Sequence, residues 1–321
     1  MQALNELSRP FDRHRGSSRA GFTMIELLGV IVIILILMAL IIPSVGAAMR
    51  VARNAKVRAE ITGLDTGLST FKNEFGAFPP SHITFPEQNG TWSNETLAVL
   101  RSMFPQISID AALEQSLVDA QIMKTAGNGS RELNGAQCLV FFLGGVPRVS
   151  GGAATTEMIG FSKNPKNPFQ QPASASSGSR IGPFYEFDAG RLTSGVIGGV
   201  TYDTFVYLDG FPSSSQPYLY ASSWEGAGYE VGTGATAVAA QANSDVPALV
   251  REVSAGVFES GPYRQTANGT HWKAQSYQII SSGIDQNFGL GGVYNPDDTS
   301  TLIEADRDNI TNFSDGGTLG G

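Results

Sequence analysis

Hydrophobic positions near the start of the chain fall into two patterns that meet at Pro43. From Leu27 to Ile42 the run is apolar all round, Leu27-Leu28-Gly29-Val30-Ile31-Val32 and onward. Further on, Ile61, Leu64, Leu68, Phe71 and Phe75 recur at steps of three and four, with Lys56, Arg58, Glu60, Lys72 and Glu74 between them. The second pattern is one apolar face on a helix. Together they predict a single long helix over residues 22–75, membrane-spanning in 22–42 and amphipathic in 44–75. At 1.5 Å per residue it is roughly 80 Å long. About 20 apolar residues are enough to cross a hydrocarbon core. The first part therefore needs lipid or neighbouring copies around it, and the second needs a globular body. Gly76 and the pair Pro79-Pro80 end the helix, since glycine permits the closing turn and proline forbids continuation.

Beyond the helix the pattern is mixed. Ser93–Met103 and Asp110–Ala126 read as short helices, and Leu133–Leu143 as a third, stopped by Gly144-Gly145-Val146-Pro147. The stretch Ser150–Arg180, rich in Gly, Ser, Ala, Asn and Pro, reads as surface loop. Phe184–Asp188 alternates as a strand does, and Thr204–Pro212 with Pro217–Ser222 reads as a hairpin. Tyr229–Val246 reads as loop and Tyr277–Ser282 as another strand. The expected fold is α+β: a long N-terminal helix packed on a C-terminal antiparallel sheet, with extra short helices in the middle. The expected division is residues 1–21, 22–75 and a body over 76–321.

Charge sharpens this picture. The net charge is −8 over 321 residues. Residues 1–21 carry four arginines against Glu6 and Asp12, or +2, which leaves −10 for the remainder. A basic segment before an apolar run places the N-terminus in the cytoplasm and the body outside, by the positive-inside rule. A net acidic body argues against general nucleic-acid binding. Cys138 is the only cysteine, so no intramolecular disulfide forms. Its apolar surroundings mark it as a small buried hydrophobe. Glu26 is the oddity at the start of the apolar run, because carboxylates within membrane segments are costly and usually mark function.

Gly21-Phe22-Thr23-Met24-Ile25-Glu26-Leu27-Leu28, followed by the apolar run and Pro43, resembles the processing site of the type IV pilin superfamily. That superfamily includes type IV pilins and type II secretion pseudopilins. The resemblance implies cleavage by the prepilin peptidase between Gly21 and Phe22, with N-methylation of the new N-terminal Phe22. It also implies an assembly role for Glu26, whose carboxylate would pair with the terminal amine of a neighbouring Phe22 inside an apolar bundle. Pro43 falls where the family commonly has a proline. An ordinary secretory signal has an apolar core of about 7–15 residues and a small-residue cut after it. Cutting after Ala47 would leave Glu26 and the Gly21-Phe22 junction without a purpose, and a plain membrane anchor would leave Glu26 equally unexplained.

The C-terminal stretch Tyr277-Gln278-Ile279-Ile280-Ser281-Ser282-Gly283-Ile284-Asp285, with Asp308 and the terminal aromatic Phe313, is similar to the end of the type II secretion major pseudopilin. There the loop binds calcium, which takes six to eight oxygen ligands. The resemblance points to Asp285 and Asp308 with help from Ser282. Gln286 stands where the family has glycine, and the loop up to Asp306 is longer and holds Asp297, Asp298 and Glu304. The other reading of the same residues is a solvated acidic turn.

No hydrolase, P-loop or Cys-x-x-Cys pattern is present, and the histidines (His14, His82, His271) lack metal-ligand spacing. The expectation is a structural subunit rather than an enzyme, most similar to the type II secretion major pseudopilin. It would assemble with itself and other pseudopilins, on an inner-membrane platform, from the membrane lipid into a periplasmic fibre. A surface pilin for adhesion, motility or DNA uptake is one alternative. Another is a membrane-tethered periplasmic binding protein or enzyme with a deep polar pocket.

Overall fold

A computed structural model describes residues 21–172, 180–226, 228–242, 244–267, 269–314 and 317–321. Of the expected leader, residues 1–20 lie outside the described residues. The chain divides into two units, Met1–Arg50 and Val51–Gly321. Helix α1, Met24–Phe75, begins in the first and ends in the second.

In the first unit every described residue is exposed. The helix continues through Pro43. Proline cannot donate a backbone hydrogen bond, and the neighbouring Ser44 hydroxyl donates to the Leu40 carbonyl at 3.0 Å. Among the described residues, α1 is the one helix long and apolar enough to cross a membrane.

In the second unit the chain continues through β1 (Ile83–Phe85), α2 (Asn94–Met103), α3 (Ala111–Asp119), β2 (Arg131–Leu133) and α4 (Gly135–Gly144). Then come β3 (Pro147–Ser150), β4 (Ala153–Met158), β5 (Phe161–Ser162) and β6 (Arg180–Ile181). They are followed by β7 (Leu192–Ile197), β8 (Val200–Tyr207), β9 (Leu219–Ser222), β10 (Gly232–Gly234), α5 (Ala237–Gln241), β11 (Val250–Ser254) and β12 (Val257–Ser260). The described chain closes with β13 (Tyr277–Ser281), α6 (Glu304–Arg307) and β14 (Ile310–Thr311). The strands pair antiparallel in sheets of two or three, so the α+β class holds.

The core forms where α1 meets this body. Val57, Ile61, Leu64, Leu68 and Phe71 are buried, as the periodicity predicts, and Phe75 is half-buried. Val57, Ile61, Leu64 and Leu68 pack with α4 (Leu139, Val140, Leu143) and with Tyr220, Tyr277, Ile279 and Ile310 of the sheet ordered β14-β13-β9, while Phe71 meets Phe142 of α4 and Phe75 meets Phe104 and Phe161. β13 is buried on both faces, with Ile279 opposite Tyr220 and Ser281 opposite Ile310. α4 is buried over its whole length, with Cys138 inside it. Its first residue can only be small. A Cβ on Gly135 would fall on the Tyr220 carbonyl oxygen, in contact with β9.

Glu60 is turned inward rather than to solvent. Its two oxygens accept from Arg191 Nη1 at 2.7 Å and Nη2 at 2.8 Å, and Oε2 also accepts from the Tyr218 hydroxyl at 2.8 Å. The Arg191 guanidinium lies 4.3 Å from the centre of the Tyr207 ring. A bidentate pair of this kind fixes orientation as well as energy, so it pins one turn of α1 to Arg191, just before β7, and to Tyr218, just before β9.

Several expected elements shift. α3 stops at Asp119, well before Ala126, because Gln121 takes a positive φ of 57° and the Ile122 and Met123 amides turn back to the Leu117 carbonyl. α4 starts after Leu133, which lies in β2. Asn134 caps the helix with Gln137 in a reciprocal capping box. The stretch 150–180 is not simply loop. It holds the end of β3, β4 and β5, and it buries Phe161 and Phe169 completely, while residues 173–179 lie outside the described ones. Phe184–Asp188 forms no strand, since its rings pack on α1 and Tyr207 instead of joining a ladder. The Thr204–Pro212 and Pro217–Ser222 arms meet at a Leu208–Pro217 bridge and then part, β8 pairing with β7 and β9 with β13. Residues 229–246 hold β10 and α5.

Candidate functional site

The first candidate site is the start of α1. Gly21 to Thr23 precede the helix, and a Cβ built on Gly21 would meet nothing within 4 Å. Phe22 is 80% exposed. The Gly21–Phe22 peptide bond therefore sits in open, non-helical chain, as a protease requires of its substrate.

Thr23 and Glu26 form a reciprocal cap. The Glu26 carboxylate accepts from the Thr23 amide at 2.9 Å and from the Thr23 hydroxyl at 2.7 Å, while the Glu26 amide donates to Thr23 Oγ1 at 3.3 Å. This is the Thr-x-x-Glu capping box, which satisfies otherwise unpaired amides at a helix start. The spacing Thr23-Met24-Ile25-Glu26 carries this signal in the sequence, alongside the charge of Glu26. From Leu27 to Met49 there is no further charged residue, and every side chain is exposed.

The second candidate site is the C-terminal loop. The structure brings Asp285 and Asp308 together, with the Asp285 amide donating to Asp308 Oδ2 at 2.9 Å. Asp308 Oδ1 is buried with no hydrogen-bond partner. Burial raises the Asp308 carboxyl above its ordinary range, against the opposing pull of the Asp285 amide. Gly283 has a φ of 70°, and a Cβ there would stand 2.5 Å from Asp308 Cγ, so only glycine lets the chain pass this carboxylate. Gln286 has a φ of 59°, in the region that glycine adopts most readily. Its side-chain oxygen accepts from the Ser215 amide and hydroxyl at 3.1 and 3.0 Å, which holds the loop.

Ser282 lies apart from that pair. Its hydroxyl donates to Asp209 Oδ2 at 3.2 Å, beside Ser281 at 2.9 Å. Asp306 is occupied in the fold, accepting from the Tyr263 hydroxyl at 2.8 Å and the Gly291 amide at 2.9 Å. Asp298 caps residues 299–301. Among the described residues no group of three or more His, Cys, Asp and Glu side chains is arranged to hold a metal ion. Any cation here relies on two carboxylates and backbone carbonyls. The terminal aromatic, Phe313, stacks on Trp272 with ring centres 5.6 Å apart.

Residues 16–42 match the prokaryotic N-terminal methylation motif. The matched span ends one residue before Pro43 and contains Gly21, Phe22 and Glu26. It supports a type IV pilin-like subunit processed at its N-terminus. No curated protein and no solved structure matches the chain.

Proposed function

We propose that the chain is a structural subunit of a type II secretion pseudopilus. In this reading the prepilin peptidase cuts between Gly21 and Phe22 and Phe22 is N-methylated. The processed helix holds the subunit in the inner membrane, with its body in the periplasm, until an assembly platform extracts it into a filament with other copies and other pseudopilins. The observation that carries the reading is a methylation motif leading into a half-helix with no buried side chain and one acid, Glu26. Such a surface is stable only against lipid or against other apolar helices.

Within the fibre Glu26 would exchange its Thr23 cap for the terminal amine of a neighbouring Phe22. An unpaired charge in an apolar bundle is strongly unfavourable, so this pairing sets the register between subunits. Pro43 would mark the place where the helix can loosen, having one backbone bond fewer.

Calcium on the C-terminal loop is part of the same proposal. Asp285 and Asp308 would hold it, supported by the orphaned Asp308 Oδ1 and the tight glycine approach at Gly283. The ion would supply only the charge that these acids and nearby carbonyls lack. Adding calcium to chelator-treated protein should raise the melting temperature, and Asp308→Asn should remove that response. Equal melting temperatures with and without calcium would reduce the loop to an acidic turn.

The direct test of function is to express the chain with secretion or pilus machinery and look for filaments by electron microscopy. Filaments confined to the periplasm with secretion machinery support the pseudopilus. Filaments at the cell surface that retract support a type IV pilus instead. A monomer that stays in the membrane under both conditions overturns the reading.

A further inference from the structure

A cavity of about 450 Å³ opens in the second unit between the chain after α1, helix α2 and the segment following β9. It lies wholly outside the candidate sites above. Its floor is Asp245, only 1% exposed. Asp245 Oδ1 accepts from the Ser81 hydroxyl at 2.7 Å, and Oδ2 accepts from the Glu230 amide at 3.0 Å. A carboxylate oxygen can accept two hydrogen bonds, and these two contacts account for one on each.

The rim adds more negative charge. Glu230 and Glu95 line it, and His82 stands between Glu132, at 2.7 Å, and Glu230, at 3.7 Å. No lysine or arginine is among the described lining residues. Trp224 and Tyr229 provide aromatic wall. Tyr229 is held with its hydroxyl donating to the Lys273 carbonyl at 2.7 Å. Ser222, 3% exposed and with its hydroxyl beside the Tyr220 phenol, adds one more polar group to the wall. The volume is within the range of small-ligand sites, which combine apolar walls with a few placed polar groups.

We propose that this cavity binds an alkylammonium group, carried either by a free amine or by a lysine side chain of another polypeptide. The ammonium donates to Asp245 at the floor, Glu230 provides the second charge, and the Trp224 and Tyr229 faces cover the alkyl stem and the cation. An anion finds no lysine or arginine among the described lining residues and faces Asp245, Glu230 and Glu95. A divalent metal lacks the clustered ligands, since no three-residue metal group is found among the described residues. The inference does not depend on the filament reading, because every residue it uses lies in the second unit.

The test is calorimetric titration of the full chain in detergent at pH 8 with n-butylammonium chloride and with N-acetyl-lysine N-methylamide. n-Butanol and sodium acetate serve as controls. Saturable one-to-one binding of the amines, and none of the alcohol or acetate, is expected. Asp245→Asn should weaken binding by about tenfold or more, the size of one lost charge-assisted contact. Glu230→Gln, at an exposed residue whose backbone amide rather than side chain bonds Asp245, should weaken it by roughly threefold, in line with a partly screened charge. A lysine derivative that binds more tightly than butylammonium points to a polypeptide source, and equal affinity points to free amines. No saturable binding to the wild-type chain, binding of acetate, or wild-type affinity in Glu230→Gln and in a folded Asp245→Asn would each overturn the proposal.

Discussion

Residues 24–50 and residues 51–75 share one helix and meet opposite conditions. In the first stretch every side chain is exposed, the residues are apolar on all faces, and the single acid, Glu26, bonds only to its own neighbour Thr23. In the second, one face is buried against β-sheet and α4, and the inward acid, Glu60, is held by a guanidinium and a phenol from the body. Even the outer face of the second stretch is quiet. Thr62, Thr66 and Thr70 each return their hydroxyl to the carbonyl four residues back at 2.9 Å. A helix with one apolar stripe finds its partner within the chain. A helix apolar all round has no preferred face and must be surrounded. The two halves thus divide the labour, the first apolar enough to cross a membrane and the second serving the fold.

That division is broken most severely at Glu26. Glu26→Ala should leave the folded body and its membrane level unchanged but abolish filaments, read by shearing and electron microscopy. Filaments at wild-type abundance would show that the first half needs no charge pairing.

The second half is tested by stability. Phe71→Ala, at a fully buried position, should cost roughly 3–5 kcal/mol in denaturant unfolding. Glu60→Ala should cost about 3 kcal/mol, because it strands the Arg191 guanidinium in a largely buried position. The double change Glu60→Ala with Arg191→Ala should recover part of that loss. Full additivity in the cycle would mean that the pair is not coupled.

A gentler test is pH. Burial pushes the Asp245 carboxyl up to about 7, from an ordinary value near 4. Between those values the folded state holds a proton that the unfolded chain has released. Stability should therefore fall as pH rises from about 4 to about 7, by up to about 1.4 kcal/mol per unit. The contribution is fully present below the unfolded value and is lost above the folded one. Asp209, Asp306 and Asp308, all raised by burial, bend the profile in the same direction. Asp245→Asn should flatten the profile without removing it. An unchanged profile would mean that Asp245 is already ionised in the folded protein.

The smallest expected effect is at Thr23. Thr23→Val removes the hydroxyl from the cap and should lower the helix content of residues 22–30 modestly, seen by amide exchange. Glu26→Ala and Thr23→Val together separate local capping from pairing between subunits, since only the former change should stop assembly.

The helix was legible because its signals are local. Three- and four-residue spacing gave Ile61, Leu64, Leu68 and Phe71, and Gly76 with Pro79-Pro80 gave its end. Ser93 and Asp110, the expected starts of the first two short helices, are the N-caps of α2 and α3. The inward turn of Glu60 was not legible, because its partners Arg191 and Tyr218 lie more than a hundred residues away. Short strands in Gly- and Ala-rich stretches, such as β10 and β4, carry almost no periodic signal, and their pairing comes from neighbours far along the chain. Tyr185 and Phe187 alternate as in a strand, yet their rings meet Tyr207 instead of a ladder. At the C-terminal loop the nearness of Asp285 and Asp308 was implied by the resemblance to the pseudopilin C-terminus, while the capture of Ser282 by Asp209 depended on a loop seventy-three residues upstream.

The most direct measurement is the intact mass and N-terminal sequence of the protein isolated from membranes of a cell that has a prepilin peptidase. A chain beginning at Phe22 and carrying one additional methyl group is the predicted result. A chain that retains Gly21, or one cut after Ala47, would contradict it and leave α1 as an anchor or a secretion signal.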